Sequence, residues 1–156
     1  MADLNTSSNK YLSLLYLRED RIKNSLNNFF EVHRLFEKEI LSQLENETLG
    51  VADIRCLLII NINPGITFNQ LLKSLDIRKQ SLNRVLRILV KENYIIQKIN
   101  TEDARKKNLF ITDKANKVLN ETIKPLINKL SKSYVKSGAN SVHGFNQVVN
   151  FLTEQS

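Results

Sequence analysis

The chain is poor in the residues that build disulfide frameworks and metal centres. Its 156 residues include one cysteine and two histidines, so no disulfide can form within the chain and clustered Cys/His metal ligands are absent. No apolar run approaches the ~18 residues of a membrane span. The first residues, Met1 to Leu4, lack the charged and apolar blocks of a signal peptide. These absences predict a cytoplasmic protein with no metal, no cofactor and no membrane partner.

Glycine and proline are also scarce, at four and two residues, which leaves little material for long loops or an extended sheet. With 42% hydrophobic and 25% charged residues, the composition is globular, and the length suffices for one hydrophobic core. We therefore expect a single folded unit over residues 1–156 that is mainly α-helical.

The motifs of common enzymes are missing as well. The sequence has no glycine-rich phosphate loop and no nucleophile motif, and its histidines, His33 and His143, fall on different predicted helices. Each histidine is expected to be a packed or interfacial side chain. The sequence thus predicts no catalytic residues and a protein that is not an enzyme.

Positive charge is abundant, and it is concentrated in one stretch. The formal net charge is +7, and the residues from Arg78 to Lys107 include nine cations and three anions, so the rest of the chain is nearly neutral. Such a stretch is typical of proteins that bind anionic surfaces such as nucleic acid. A solvated basic face is the other interpretation, and charge alone does not decide between the two.

Hydrophobic periodicity predicts several helices before this stretch. Apolar residues recur at helical spacing from Arg18 to Glu45 and again from Val51 to Ile62, where Asn63-Pro64-Gly65 forms a turn. Thr67 opens a short helix, because a glutamine three residues later completes a capping box. Asp76 tolerates left-handed backbone and ends that helix in a tight turn.

The next predicted helix, from Lys79 to Glu92, has two contrasting faces. One is an apolar stripe at positions i, i+3, i+4, i+7 and i+8, formed by Leu82, Val85, Leu86, Leu89 and Val90. At about 100° per residue, four polar or cationic side chains fall within roughly 60° of one another on the opposite side. This outer ridge consists of Gln80, Arg84, Arg87 and Lys91. A short helix, a tight turn and a helix with such a ridge follow the helix-turn-helix pattern.

Two strands and two helices complete the chain. Residues 94–99 and 107–112 are predicted strands joined by a polar turn, which gives a β-ribbon tipped by Arg105 and Lys106. Thr112 is then predicted to cap a long helix that kinks or restarts at Pro125 and ends at Gly138. A last amphipathic helix is predicted over residues 141–153.

This order of elements resembles the MarR family of winged helix-turn-helix regulators over essentially the whole chain. The run from Ile77 to Leu86 is similar to the family's recognition helix, although Asp76 replaces the commoner glycine and Arg78 replaces a capping Ser or Thr. The most specific match is to the family's Asp-x-Arg wing, second strand and Thr-started helix, which look like Asp103-Ala104-Arg105, then Leu109, Ile111 and Thr112, then Asp113-Lys114-Ala115.

The resemblance implies an obligate homodimer bound to double-stranded DNA. Residues 18–45 and 113–156 would be dimerisation helices, and residues 51–112 would form the winged helix-turn-helix lobe. The residues support this independently, because apolar stripes outside a compact lobe need a partner to bury against. The family further implies a pseudo-palindromic operator and a small-molecule effector bound where the dimer helices meet the lobe.

On this hypothesis, the DNA-binding residues of the recognition helix are Lys79, Gln80, Ser81, Asn83, Arg84 and Arg87. Gln80 is suited to adenine, and Arg84 to guanine O6 and N7, in the major groove. Lys79 and Arg87 are suited to phosphates, although simple solubility also explains Arg87.

The tip of the ribbon has a separate expected role. Arg105, with Lys106 beside it, is placed to enter a minor groove, where a narrow A·T-rich segment concentrates negative potential. Family similarity gives Asp103 the role of orienting the arginine guanidinium. An ordinary surface ion pair in a turn is the other interpretation.

Two alternatives stay open at this stage. A winged helix also serves protein association or non-specific DNA binding, but a ridge used for protein association would be less basic or would carry exposed aromatic residues. Some MarR relatives use a cysteine as an oxidant sensor. Cys56 lies in an apolar helix between Arg55 and four aliphatic residues, which favours a small buried hydrophobe instead.

Overall fold

The computed structural model describes residues 15–44, 48–101 and 103–154. The chain divides into two compact units, one up to Lys38 and one from Glu39 onward. The predicted ends of the dimerisation segments, Glu45 and Ser156, lie outside the described residues, as do the first residues from Met1 to Leu4. The helices are α1 (Glu19–Gln43), α2 (Val51–Ile62), α3 (Phe68–Leu75), α4 (Lys79–Lys91), α5 (Asp113–Ser137) and α6 (Ala139–Glu154), and the strands are β1 (Ile66–Thr67), β2 (Ile95–Ile99) and β3 (Lys107–Ile111). The predicted fold class, mainly α with a small β-ribbon, is confirmed.

The ribbon is part of a three-stranded antiparallel sheet in the order β1-β3-β2. Ile95 pairs with Ile111 and Ile99 with Lys107, as a hairpin over the predicted turn requires. The third strand, β1, was not predicted. It pairs Ile66 with Leu109 at the other edge of β3.

Gly65 makes this third strand possible. Its backbone N–H donates to the carbonyl of Leu109 at 2.9 Å, and its φ of +86° is one that L side chains rarely adopt. A Cβ atom at this position would lie 3.4 Å from the ring of Phe110. The glycine therefore lets the chain turn tightly from α2 into the sheet.

The core of the second unit lies where α2 packs against α3, α4, α5 and β3. Burial of the aliphatic side chains in this core supplies most of the driving force for folding. The largest fully buried side chains are Ile54, Cys56, Leu57, Ile60, Leu71, Leu82, Leu89, Leu109 and Leu119.

The local geometry of the helix-turn-helix agrees with the sequence prediction. The backbone N–H of Thr67 donates to Oε1 of Gln70 at 2.9 Å, and the Thr67 hydroxyl accepts from the N–H of Gln70. This capping box starts α3 where it was predicted. Asp76 ends α3 in the left-handed region, with φ 48°, and α4 begins three residues later, at Lys79. The short helix and the tight turn are confirmed.

Three details of the helices differ from prediction. Of the stripe predicted for α4, the helix buries Leu82, Leu86 and Leu89, whereas Val85 is half-buried and Val90 is 36% exposed. Helix α5 does not restart at Pro125; it is continuous to Ser137. Proline removes one helix hydrogen bond, and the buried Thr122 and Leu126 on either side keep the helix packed. Helix α6 starts at Ala139, two residues before the predicted Ser141.

Several helices leave large apolar side chains exposed, and α1 and α6 carry the largest sets. On α1 of the first unit, Phe30 is 65% exposed, and on α6 of the second unit Phe151 is 63% exposed. No helix in the described ranges is long and apolar enough to cross a membrane. Within each helix, the exposed apolar residues are Ile22, Leu26, Phe29, Phe30, Val32, Leu35 and Leu41 of α1 and Phe145, Val148, Phe151 and Leu152 of α6.

Candidate nucleic-acid interface

The ridge helix α4 turns its polar side outward as its sequence requires. Leu82, Leu86 and Leu89 are buried, and the residues on the other side of the helix are exposed. Arg78 precedes the first turn in extended backbone but makes no side-chain cap, so the N–H groups of that turn are not used by a capping side chain. The exposed polar residues are Lys79, Gln80, Ser81, Asn83, Arg84, Arg87 and Lys91.

The charge of this ridge is not compensated locally. Among the described residues, the ion pairs involve Asp20, Glu19, Glu37, Glu31, Asp103 and Glu39 as the acids, and no ridge cation is a partner in them. Like charges three and four residues apart on a helix repel one another. The ridge therefore presents positive charge that is available to an outside anion.

An open groove of about 450 Å³ runs along α4 and reaches Gln97 of β2. Arg87 and Lys91 of α4 and the amide of Gln97 of β2 lie along it, which widens the polar surface from the ridge toward the sheet. Val90 also lies along this groove, and this position accounts for its exposure. The lining residues are Phe68, Asn83, Leu86, Arg87, Val90, Lys91 and Gln97.

The tip of the ribbon is organised around Asp103. Its Oδ1 accepts the backbone N–H of Arg105 at 3.0 Å, and its Oδ2 lies 3.3 Å from Nζ of Lys106. The hydrogen bond from Arg105 N–H, followed by that from Lys106, holds the pKa of the Asp103 carboxyl below its ordinary value. The expected contact with the Arg105 guanidinium is not among the contacts of Asp103. The carboxylate holds the backbone of Arg105 instead, and the arginine side chain is exposed.

Two asparagines of the ribbon were missed by sequence reasoning. Nδ2 of Asn100 donates to Oδ1 of Asn108 at 2.9 Å, and Oδ1 of Asn100 accepts the backbone N–H of Asp103 at 3.0 Å. The positions of Asn100 and Asn108 could have predicted this pair, because polar residues on both sides of a hairpin turn are brought together once the strand register is fixed.

The junction between α4 and α5 contains a third missed residue, Lys114. Its ammonium donates to the carbonyl of Glu92 at 2.8 Å. The hydroxyl of Thr112, which caps α5 as predicted, also donates to the carbonyl of Asn93 at 2.8 Å. The first turn of α5 is thus bonded to the backbone that follows α4.

The remaining candidate residues give little chemistry. Burial raises the pKa of the Cys56 thiol to about 12, with a further contribution from the charge of Asp53. His33 and His143 are both exposed, so the prediction that they are packed is wrong for the chain by itself, and the interfacial role stays a prediction. In the described part of the chain, no group of three or more His, Cys, Asp or Glu residues is arranged to hold a metal.

Comparison with known proteins matches this chain to one family model and to a transcriptional regulator. Residues 48–106 match the model of the MarR family. The HTH-type transcriptional regulator PetP of Rhodobacter capsulatus is 28% identical over 142 residues, which cover 91% of this chain and 86% of that protein.

Two solved structures are similar in fold. Streptococcus pneumoniae FabT in complex with DNA superposes with a TM-score of 0.70 and 17% identity, covering 89% of this chain and all of that one (100%). Staphylococcus aureus MarR in complex with salicylate and kanamycin superposes with a TM-score of 0.69 and 19% identity, covering 88% of this chain and 96% of that one.

Proposed function

We propose that the chain belongs to the MarR family of winged helix-turn-helix regulators, whose model matches residues 48–106, and that it regulates transcription by binding a pseudo-palindromic DNA operator as a homodimer. A family of transcription regulators supports a regulatory role rather than an enzymatic one. In this proposal, residues 51–112 form the DNA-binding lobe, and residues 18–45 and 113–156 supply the dimerisation helices.

One observation carries the proposal: the exposed side of α4 is cationic although the fold does not need that charge. The opposite side already buries three leucines, and the ridge cations have no acidic partner among the described residues. Such a row of like charges is mutually repulsive. Binding to DNA phosphates removes that repulsion and releases the counterions of the DNA.

The residue types along the ridge match the chemistry of the major groove. Gln80, in the first turn of α4, would pair with adenine, and Arg84, one turn later, with guanine O6 and N7. Lys79 and Arg87 would hold phosphates, and Ser81 and Asn83 flank the base-reading pair. Phosphate contacts set the register of the helix on the duplex, whereas the base contacts select the sequence.

The ribbon tip would contact the neighbouring minor groove. Arg105 is exposed at the tip, and Asp103 fixes its backbone rather than its side chain, which leaves the guanidinium free to enter a narrow groove. Lys106 forms an ion pair with Asp103 at 3.3 Å. Its ammonium would contact a nearby phosphate rather than enter the groove. The ridge and the wing would therefore read different properties of the DNA.

The exposed apolar faces of α1 and α6 support the homodimer. Side chains such as Phe30 and Phe151, at 65% and 63% exposure, are costly to leave in water when they form continuous faces. A symmetric pair of chains is the commonest way to bury such faces. It would also present two ridges to one side of the duplex, as a pseudo-palindrome requires.

Control by a small ligand is part of the proposal. One structural neighbour was solved with salicylate and kanamycin, which supports a small-molecule effector for this chain without identifying it. An effector would act by binding preferentially to the conformation with lower DNA affinity.

Selection of duplexes from a random pool by the purified full-length chain tests the proposal. We expect one pseudo-palindromic site with half-site centres about one helical turn, roughly 10 base pairs, apart. Affinity for this site should fall steeply with salt. A selected pool with no shared sequence would contradict operator binding and would favour non-specific DNA coating.

A further inference from the structure

We propose that the side-chain amides of Asn100 and Asn108 form a brace that positions Arg105 for the minor groove. The inference rests on the proposed function, in which Arg105 enters an A·T-rich minor groove beside the operator. Asn100 and Asn108 act through Arg105 and need not touch DNA themselves. They are therefore positioning residues.

The brace begins on the central strand of the sheet. Asn108 lies in β3, which is paired on both sides, with Thr67 of β1 and Lys98 of β2. Asn100 immediately follows β2 and shares a face with Lys98, because residues two apart on a strand point the same way. Asn100 and Asn108 are thus diagonal neighbours, and Nδ2 of Asn100 donates to Oδ1 of Asn108 at 2.9 Å.

The other end of the same amide holds the loop. Oδ1 of Asn100 accepts the backbone N–H of Asp103 at 3.0 Å, and Oδ1 of Asp103 accepts the backbone N–H of Arg105 at 3.0 Å. Three successive hydrogen bonds therefore lead from the central strand to Arg105. Asn100 uses one oxygen and one nitrogen of a single amide to join the strand to the tip.

The backbone of the loop completes the arrangement. The N–H of Asn100 donates to the carbonyl of Lys106 at 3.0 Å, and the N–H of Lys106 donates to the carbonyl of Asp103 at 2.9 Å. Asn100, Asn108 and Asp103 are half-buried, whereas Arg105 is exposed. The direction in which the Arg105 side chain leaves the loop is consequently set by hydrogen bonds made beneath it.

Lys98 does not compete for Asn108, although the two residues are paired across the strands. The ammonium of Lys98 lies over the ring of Phe110, 5.1 Å from its centre. The Oδ1 atom of Asn108 therefore serves the neighbouring amide. A loop fixed in this way loses little conformational freedom when it binds, and such preorganisation increases affinity.

The experiment compares two variants with their combinations with Arg105→Ala. Asn108→Val removes the acceptor and keeps a residue with high strand propensity, and Asn100→Ala removes the side-chain bonds to Asn108 and to the Asp103 N–H at a residue outside the strands. Dissociation constants are measured for full-length protein on the selected operator with A·T-rich and with G·C-rich flanks. The ratio of the two constants is the flank preference, which a purely structural role would not change selectively.

We expect each asparagine variant to lower the flank preference by roughly threefold to tenfold, the effect of one or two lost hydrogen bonds, with core base preference unchanged. In the Arg105→Ala background, neither asparagine variant should change the flank preference further. Asn120→Ala is the matched control, because it removes an amide pair of the same type on α5, where Asn120 donates to Asn116 at 3.2 Å. This control should keep the full flank preference.

Each other outcome contradicts the brace. An unchanged flank preference in either asparagine variant overturns it, because both amides are required. A further loss in the Arg105→Ala background also overturns it, because the asparagines then act by another route. If Arg105→Ala keeps the flank preference, the proposed role of Arg105 fails and the brace fails with it. If Asn108→Val does not fold, as judged by thermal unfolding, Asn100→Ala decides.

Discussion

The ammonium group of Lys114 lies 4.1 Å from the centre of the Tyr94 ring. The same ammonium donates to the backbone carbonyl of Glu92, the C-cap residue of α4. A cation is favoured at this end of a helix, where the unpaired carbonyls and the helix dipole are negative. One side chain in the first turn of α5 therefore holds the C-terminal end of the ridge helix.

Lys114→Met should loosen this junction. The substitution keeps an apolar stem but removes the hydrogen bond and the cation–π contact, so we expect the free energy of unfolding to fall by about 1 kcal/mol. Chemical denaturation followed by circular dichroism measures the change. Lys117→Met on the same helix is the control for loss of one charge. An equal loss in both variants would show that the junction contributes nothing specific.

Arg84→Ala should change which DNA the protein selects. If Arg84 pairs with guanine, we expect binding to the selected operator to weaken by about 1–3 kcal/mol and the preference at one base pair per half-site to relax. Arg87→Ala is the matched variant, because a lost phosphate contact weakens binding to all sequences alike and reduces the salt dependence. Binding to a library of operator variants measures both. A uniform loss for Arg84→Ala would make Arg84 a phosphate contact.

Local sequence signals were sufficient for most of the helix-turn-helix. The capping box of Thr67 and the left-handed Asp76 depend on residues within three or four positions of each other, and both are confirmed. Strand β1 could not be predicted in this way, because its two residues are defined by pairing with β3, some forty positions later. Val90 illustrates the same limit, since periodicity gives the direction of a side chain but not whether a neighbour covers it.

For the candidate site too, the sequence predicted which side chains are exposed but not which groups they contact. The exposure of Arg84 and Arg87 follows from helix geometry alone, but the partner of Asp103 does not. Its carboxylate bonds the backbone of Arg105 rather than the guanidinium, because a residue two positions later in a tight loop presents its N–H first. The DNA-contacting roles of these residues stay predictions.

Cys56 should be inert toward mild oxidants in the folded protein. Because burial raises the pKa of its thiol to about 12, only about one thiol in 10⁵ is ionised at pH 7, and the thiolate is the reactive form. We expect alkylation by iodoacetamide to require unfolding, and DNA affinity to be the same before and after dilute peroxide. Cys56→Ala should behave like the native chain. Peroxide-dependent release of DNA by the native chain alone would show that Cys56 is a sensor.

Asp103 should titrate at a pH below its ordinary pKa of 3.8. The folded loop stabilises the carboxylate through the Arg105 N–H and then Lys106, so this contribution is present above the ordinary pKa and is lost as the pH falls through the lowered value. In an NMR titration of the folded protein, we expect the Arg105 amide signal to shift with a midpoint below 3.8. Asp103→Asn should abolish that shift. A midpoint at or above the ordinary value would contradict the hydrogen bond.

Phe30→Asp should weaken assembly of the chain. Phe30 is 65% exposed on α1, and if α1 lies in the proposed dimer interface, a carboxylate there would lose the transfer energy of the ring and add a desolvation cost. We expect the dimer dissociation constant to rise at least about tenfold, measured by sedimentation. Asn27→Asp on the same helix introduces the same charge without removing an apolar side chain. If Phe30→Asp and the native chain assemble equally, α1 is not part of the interface.

Only Thr112 separates strand β3 from helix α5. A change in the direction of β3 would therefore tilt α5 with it. A helix of 25 residues is about 37 Å long, so a tilt of about 5° at its start displaces its far end by about 3 Å. The N–H of Thr112 is bonded to the carbonyl of Tyr94 at 3.0 Å, so the same tilt pulls on both strands of the ribbon. If α5 moves as a rigid body, a small rotation at the wing would therefore produce a larger displacement at the far end of the helix, in proportion to its length.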